Sequence, residues 1–220
     1  MIKLYSPAGA ERRIHGCGEL LRDIQARYRV PAACLRAILY NEMTEMDLLD
    51  VAADLSVRFY WARFDLRSRL CTRGLLKDRT PVLRAGPLGK RDSSTGWAQI
   101  FSYVGINACR FAFDRGLAAP ASLGLPEDRT LDPRDPEDLR AVWLRLNRDR
   151  EFNLRLAAFN LLAAAEQMTG RMDFDGCSPE ELRRIFTRYN ADTDRVTAYG
   201  ERAYANYLRY RAAEQHTDGG

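Results

Sequence analysis

The sequence has no apolar run long enough to span a bilayer, only two histidines and no Cys-x-x-Cys pair. Each absence removes a class of function. A transmembrane helix needs about 20 mostly apolar residues, so no membrane span is expected. His15 and His216 lie near the two ends, and Cys17, Cys34, Cys71, Cys109 and Cys177 are odd in number and scattered. No group of His and Cys has metal-ligand spacing, so no metal and no other cofactor is expected. Reduced, mostly buried thiols are the simplest reading of the cysteines. The opening run Met1-Ile2-Lys3-Leu4-Tyr5-Ser6-Pro7 lacks the apolar core of a signal peptide. Synthesis in the cytoplasm is expected, with non-classical export to the cell wall or periplasm, by a specialised system or after lysis, left open. Lysine is scarce as well. Of 34 basic residues only Lys3, Lys77 and Lys90 are lysines, and the rest are arginines. These are interleaved with Asp and Glu to a net charge of +4. That pattern describes a solvated surface and not a clustered nucleic-acid patch, so no specific nucleic-acid partner is expected.

What is present is a globular composition: 220 residues, 46% hydrophobic and 29% charged, enough for one sizeable domain or two small ones. The periodicity is helical almost throughout. Leu20, Leu21, Ile24 and Tyr28 mark an amphipathic first helix. Pro31 opens a second, where its missing N–H costs least. Leu35, Ile38 and Leu39 form the apolar face of this helix, which ends near Glu42. A third helix is predicted over about 47–64, with Leu48, Val51, Leu55, Phe59 and Ala62 in register. Residues 67–94 hold Gly74, Pro81, Gly86, Pro87 and Gly89 and read as a long irregular excursion with room for a short hairpin. Helix is predicted to resume over 97–113. A second loop-rich stretch covers 118–136. Asp135 and Pro136 then read as N-cap and first helical residue, with helices over 137–149 and 151–168. Ser178-Pro179-Glu180-Glu181 has the form of a capping box. A last helix is predicted over 194–213, and residues 216–220 are expected to fray. The fold class is all-α, with at most a small β element.

Two local features carry chemistry. Glu42 sits at the end of an apolar helical stretch, where desolvation raises a carboxyl pKa. A carboxylic acid that keeps its proton near neutral pH is what protonation of a glycosidic leaving oxygen requires. Downstream, Ser94-Thr95-Gly96-Trp97-Ala98-Gln99-Ile100 is small and polar before it turns apolar. Such a run brings backbone and an amide side chain close to a sugar. Of Trp61, Trp97 and Trp143, which otherwise read as packing residues, Trp97 is the best placed as a sugar-stacking platform.

These features fall into an ordered set. Glu42 ends its helix. Gly96-Trp97-Ala98-Gln99-Ile100 resembles the Gly-Leu-Met-Gln-Ile run of lytic transglycosylases. The stretch Asn153-Leu154-Arg155-Leu156-Ala157-Ala158-Phe159-Asn160-Leu161 resembles their Asn-Ile-x-x-Gly-x-x-Tyr-Leu helix. Tyr189-Asn190-Ala191-Asp192, followed by Arg195-Val196 and Tyr199, resembles their Tyr-Asn-Ala-Gly segment. Over about residues 20–210 the chain thus resembles the lysozyme-like superfamily, in its soluble lytic transglycosylase and goose-type lysozyme branch. The resemblance implies a lysozyme-like helical domain over 17–213, an N-terminal extension over 1–16, an insertion at about 47–94 and a tail over 214–220. It implies that Glu42 is general acid and then general base, and that Ser94, Gly96, Trp97 and Gln99 lie along a glycan cleft. Tyr189 and Asn190 would face Glu42 across that cleft, with the Tyr189 hydroxyl near the carboxyl or the sugar. Asn153 would support the helix behind the site.

The implied activity is cleavage of peptidoglycan strands between N-acetylmuramic acid and N-acetylglucosamine, by a lytic transglycosylase or a muramidase. A non-catalytic glycan-binding or structural relative is the alternative, and an Arg-rich nucleic-acid-binding helical domain a more distant one. The departures bear on that choice. Met43 follows Glu42 where the family has Ser, and Ala157, Asn160 and Asp192 replace a Gly, a Tyr and a Gly. A hydrolase would need a second carboxylate, about 5–5.5 Å away for retention or about 6.5–9.5 Å away for inversion. Asp47, Asp50, Asp54 and Asp92 are the candidates, although the first three recur at helical spacing and also read as a solvated acidic face. In the transglycosylase mechanism the sugar's own 6-hydroxyl attacks and no second acid is required.

Overall fold

A computed structural model describes residues 2–76, 92–127 and 130–217. Among them the chain forms α1 (Pro7–His15), α2 (Gly18–Tyr28), α3 (Ala32–Glu45), α4 (Leu48–Thr72), α5 (Ser102–Asp114), α6 (Pro136–Arg148), α7 (Arg150–Thr169), α8 (Pro179–Asn190) and α9 (Ala198–Thr217). The fold is all-α. The β pairing among the described residues is two isolated antiparallel bridges, Lys3 with Asp47 and Thr95 with Ile100.

The helix starts follow their capping chemistry. The Asp135 side chain accepts from the Glu137 N–H with Pro136 as first helical residue. Ser178 and Glu181 close a reciprocal capping box around Pro179. Both satisfy N–H groups that an α-helix leaves without a partner.

Two helices are buried on nearly every side. In α7, Phe152, Leu154, Leu156, Ala157, Ala158, Phe159, Leu161, Leu162 and Ala165 are all enclosed. In α3 the same holds for most positions from Ala32 to Leu39. A helix that is apolar all round belongs in a core, and α1, α2, α5, α6, α8 and α9 pack against one or both of these two. α9 and α1 pack on α3, α5 and α8 pack on α7, and α8 packs on α9. A second, smaller core joins Val57, Tyr60, Trp61 and Phe64 of α4 to Trp143 of α6.

Several boundaries differ from the sequence-based expectation. Residues 1–16 contain α1, whose Ala10 and Ile14 are buried in the main core. Helix α4 runs on to Thr72, past the predicted end at 64, and in the added turns Asp65 pairs with Arg140. The Gly/Pro-rich stretch that suggests a hairpin falls largely at 77–91, outside the described residues. Trp97 is not helical: residues 95–100 form a tight turn and α5 begins at Ser102. The last helix starts later and ends later than expected, at Ala198 and Thr217. The expected fraying beyond Thr217 lies outside the described residues.

Candidate active site

Glu42 lies in the last turn of α3 (Ala32–Glu45). It is half-buried between the buried residues Asn41 and Met43. The Tyr199 hydroxyl, at the start of α9, donates to Glu42 Oε1 at 2.5 Å. Burial pushes the Glu42 carboxyl up to about 8 from an ordinary 4.5. The Tyr199 bond opposes that rise, the Asp50 and Glu45 charges add to it and Arg202 opposes it. At pH 7 such a group is about ten parts protonated to one ionised. Tyr199 itself is held well above the ordinary phenol range, first by burial and then by the Glu42 charge. It therefore stays a donor throughout the neutral range.

The seating of Tyr199 is specified by close helix packing. Gly200 follows it, and a Cβ there would meet Thr187 Oγ1 at 2.0 Å and the Arg183 carbonyl at 2.6 Å. Only glycine lets α9 approach α8 this closely. The Thr187 hydroxyl also accepts from the Thr197 N–H at 3.1 Å. On the other side Asn41 Nδ2 donates to the Tyr199 carbonyl at 3.4 Å, and Asn41 Oδ1 accepts from Asn206 Nδ2 at 2.7 Å. Glu42 and Tyr199 thus meet because both helices are pinned at the residues beside them.

The downstream turn is built on α7. Asn153 is fully buried and its amide saturates the turn: Oδ1 accepts from the Ala98 N–H at 2.9 Å. Its Nδ2 donates to the Thr95 carbonyl at 3.2 Å and the Leu146 carbonyl at 3.3 Å. The Ala98 carbonyl in turn accepts from the Tyr189 hydroxyl at 2.9 Å. Burial, and then the Glu42 charge, hold the Tyr189 phenol well above its ordinary range. The turn over 95–100 is thus tied to α7 and α8, while Glu42 is tied to α9. The tyrosine bonded to the acid is Tyr199, because the Tyr189 hydroxyl is committed to the Ala98 carbonyl. Asn190 ends α8 as an exposed residue, with its side chain outside this hydrogen-bonded group.

A cleft of about 380 Å³ runs beside this arrangement. Gly96, Trp97 and Gln99 form one wall, Met43 and Met46 the α3 side, and Val51, Asp54, Leu55 and Arg58 of α4 another. Glu42 and Tyr189 do not line it. Met43 and Met46, one and four residues on from Glu42, are the α3-side residues that do line it. Gln99 spends its amide inside the turn, donating to the Gly96 carbonyl at 2.7 Å and accepting from Ser94 Oγ at 3.3 Å. The guanidinium groups of Arg13 and Arg150 lie 5.6 and 5.4 Å from the centre of the Trp97 ring. They leave less free ring face than an open sugar platform would have.

The four aspartates considered as a second acid have other work. Asp47 Oδ1 accepts from the Leu49 and Asp50 N–H groups, and Asp50 Oδ2 accepts from the Asp47 N–H, so the pair is the capping box of α4. Asp92 accepts from the Ser102 N–H and hydroxyl and from the Tyr103 N–H, and so caps α5 from outside it. Asp54 accepts from Ser93 Oγ at 2.6 Å and Thr95 Oγ1 at 2.8 Å, tying α4 to the turn. It faces the cleft, and burial raises its pKa against those two bonds. Capping thus explains the acidic spacing at Asp47 and Asp50, which in the sequence suggests either a solvated face or a catalytic partner. Asp92→Ala is expected to destabilise the fold by about 1–3 kcal/mol, the cost of leaving buried donors unpaired. A melting curve checks this, and a variant that melts like the parent would remove Asp92 from the capping of α5.

No protein-family model, curated protein or solved structure matches this chain. Among the described residues no group of three or more His, Cys, Asp or Glu side chains is placed to hold a metal ion. What the arrangement offers is a protonated carboxyl steadied by a phenol. Sequence reasoning notes Tyr199 after the Tyr-Asn-Ala run but gives it no role, and it misses Asn41. The signal is the Tyr199-Gly200 pair at a helix start, since a glycine in the first turn of a helix marks a close neighbour.

Proposed function

We propose that the chain cleaves peptidoglycan glycan strands between N-acetylmuramic acid and N-acetylglucosamine, with Glu42 as general acid and then general base. The observation that carries this reading is the Glu42 carboxyl, held protonated near neutral pH by burial and hydrogen-bonded to Tyr199. With Oε1 accepting from Tyr199, the acidic proton resides on the other carboxyl oxygen. That oxygen delivers it to the departing glycosidic oxygen. The carboxylate left behind is stabilised by the Tyr199 donor, and it then takes a proton from the attacking hydroxyl. The lysozyme-like reading is supported by α3 and α9 meeting at this carboxyl and by α8 meeting the turn over 95–100 at the Ala98 carbonyl.

The one-carboxylate route of a lytic transglycosylase is favoured over hydrolysis. Asp47, Asp50 and Asp92 hold helix starts, and Asp54 is bonded to two hydroxyls. Mass spectrometry of purified peptidoglycan digested with the protein tests this directly. 1,6-Anhydro ends are expected, reducing ends would identify a muramidase, and no release would leave a glycan-binding or structural protein.

Tyr199→Phe provides an independent check on the acid. Removing a donor that favours the ionised carboxyl raises the Glu42 pKa further. The alkaline limb of the pH–rate profile, where the acid loses its proton, should move to higher pH. The rate should fall by about tenfold, less than on loss of the acid itself. An unmoved limb would detach Tyr199 from the chemistry.

A further inference from the structure

Helix α4 buries one face and leaves the opposite one apolar and open. Val57, Tyr60, Trp61 and Phe64 point into the small core with α6. Leu48, Leu55, Phe59 and Leu66 are 53%, 58%, 53% and 59% exposed. They are spaced by seven, four and seven residues, which puts them on a single line along the helix. Ala52 and Ala62 fall between them, so no polar residue breaks the line. At 25 residues the helix is about 37 Å long. The charges beside the line have one sign. Arg58, Arg63, Arg69 and Arg73 are all exposed, and helical spacing sets Arg63 on one flank with Arg58 and Arg69 on the other. Arg63 lies over the Phe59 ring at 5.9 Å. The acids of α4 are turned elsewhere: Asp50 caps the helix, Asp54 bonds Ser93 and Thr95, and Asp65 pairs with Arg140 at 2.5 Å.

We infer that this outward face of α4 docks on an anionic phospholipid surface, with its Leu and Phe side chains among the acyl chains and its arginines at the headgroups. Charge complementarity selects this occupant. A second copy laid along the same seam would bring arginine against arginine with no outward acid to compensate. A nucleic acid would use the arginines but give four exposed apolar side chains nothing to enter. A helix with an apolar line flanked by arginines lies in the interfacial plane of a bilayer. No described helix is long and apolar enough to cross one, so the attachment is to the surface. Leu55 and Arg58 also line the cleft, so docking brings the cleft wall close to the bilayer. The inference does not depend on glycan cleavage.

The test is flotation of the full-length protein with vesicles of phosphatidylcholine alone and of phosphatidylcholine mixed with phosphatidylglycerol. Binding is expected only to the mixed vesicles and should weaken as salt rises. Arg63→Gln with Arg69→Gln should lower partitioning by about 30-fold, at roughly fivefold per arginine. Phe59→Ser with Leu66→Ser should lower it by roughly tenfold or more. All four residues are exposed, so these variants should melt like the parent, and circular dichroism checks that they do. Failure of the parent to float with anionic vesicles overturns the inference, as does flotation that neither double variant weakens. A concentration-dependent dimer abolished by Phe59→Ser with Leu66→Ser would instead assign the face to a second copy. DNA binding at physiological salt, lost with the arginines but not with Phe59 and Leu66, would assign it to nucleic acid.

Discussion

Replacing Glu42 with Gln is expected to lower glycan cleavage by about 10²–10⁴-fold and to stabilise the protein above neutral pH. The amide keeps the size of the side chain and can still accept from Tyr199, but it has no proton to give. The stability effect follows from the raised carboxyl pKa. The folded protein holds the Glu42 proton up to about pH 8, whereas the ordinary value is 4.5. Between those values the folded state binds more protons than the unfolded state, so stability falls as pH rises. The favourable contribution is complete below pH 4.5 and is gone above pH 8. The amide of the Glu42→Gln variant does not titrate, so the variant gains on the parent throughout that window, by about 3–5 kcal/mol at its upper end. Urea melts at about pH 5, 7 and 9 measure the gain on either side of the shift. Equal cleavage by the two proteins would remove Glu42 from the chemistry. A stability difference that stays constant from acid to alkaline pH would show that the carboxyl titrates in its ordinary range.

That coupling gives the site a physical signature apart from any activity. A residue retained only for packing would not be a half-buried acid that becomes costly as it ionises. Its neighbourhood could relieve the cost by placing an arginine against it. Instead Arg202 acts only at a distance and is paired with Glu45 at 3.7 Å. The group that touches the carboxyl is a phenol, which steadies the ionised form without holding it ionised. Under the proposed function that stability is given up at the reacting group, a recurrent feature of active sites.

Much of the fold is legible in the sequence because it rests on local rules. The N-caps at Asp135 and Ser178, the apolar period of α2 and α3 and the all-α class are all set by residues a few positions apart. Glu42 is legible for the same reason, since an acid closing an apolar helical run can be recognised from its neighbours. The partners of Glu42 are not. Choosing Tyr199 over Tyr189 requires knowing that the Tyr189 hydroxyl is taken by the Ala98 carbonyl, a contact across 91 residues. The acids show the converse. Asp47 and Asp50 are spaced as helix neighbours, but only the position of Leu48 as first helical residue of α4 makes them a cap. The apolar run after Trp97 favours a helix from the sequence alone. The turn at 95–100 forms instead because Asn153, far along the chain, supplies the hydrogen bonds that a helix would have supplied.

The dependence of that turn on Asn153 makes Gly96→Ala the most damaging small substitution near the site. Gly96 has φ +75°, and an added Cβ would stand 2.3 Å from both Asn153 Nδ2 and the Leu146 carbonyl. The left-handed backbone alone costs an alanine of order 1 kcal/mol, and forcing an atom into a packed site costs about 1–3 kcal/mol more. The carbonyl belongs to the backbone of α6 and the amide is fixed by three hydrogen bonds, so neither neighbour can yield. A loss of about 2–4 kcal/mol is expected, lowering the melting temperature by roughly 4–16 °C for a domain of this size. Gly116→Ala is the control. It has φ +65° with nothing within 4 Å, so it carries the backbone strain without the collision and should cost about 1 kcal/mol. The proposed function separates the two positions as well. Displacing the turn moves the Ala98 carbonyl and releases the Tyr189 hydroxyl, so Gly96→Ala should lower the rate per folded molecule while Gly116→Ala leaves it unchanged. Matching melting temperatures for the two variants would mean that the turn does not rest on Asn153, and the support assigned to α7 behind the site would fall with it.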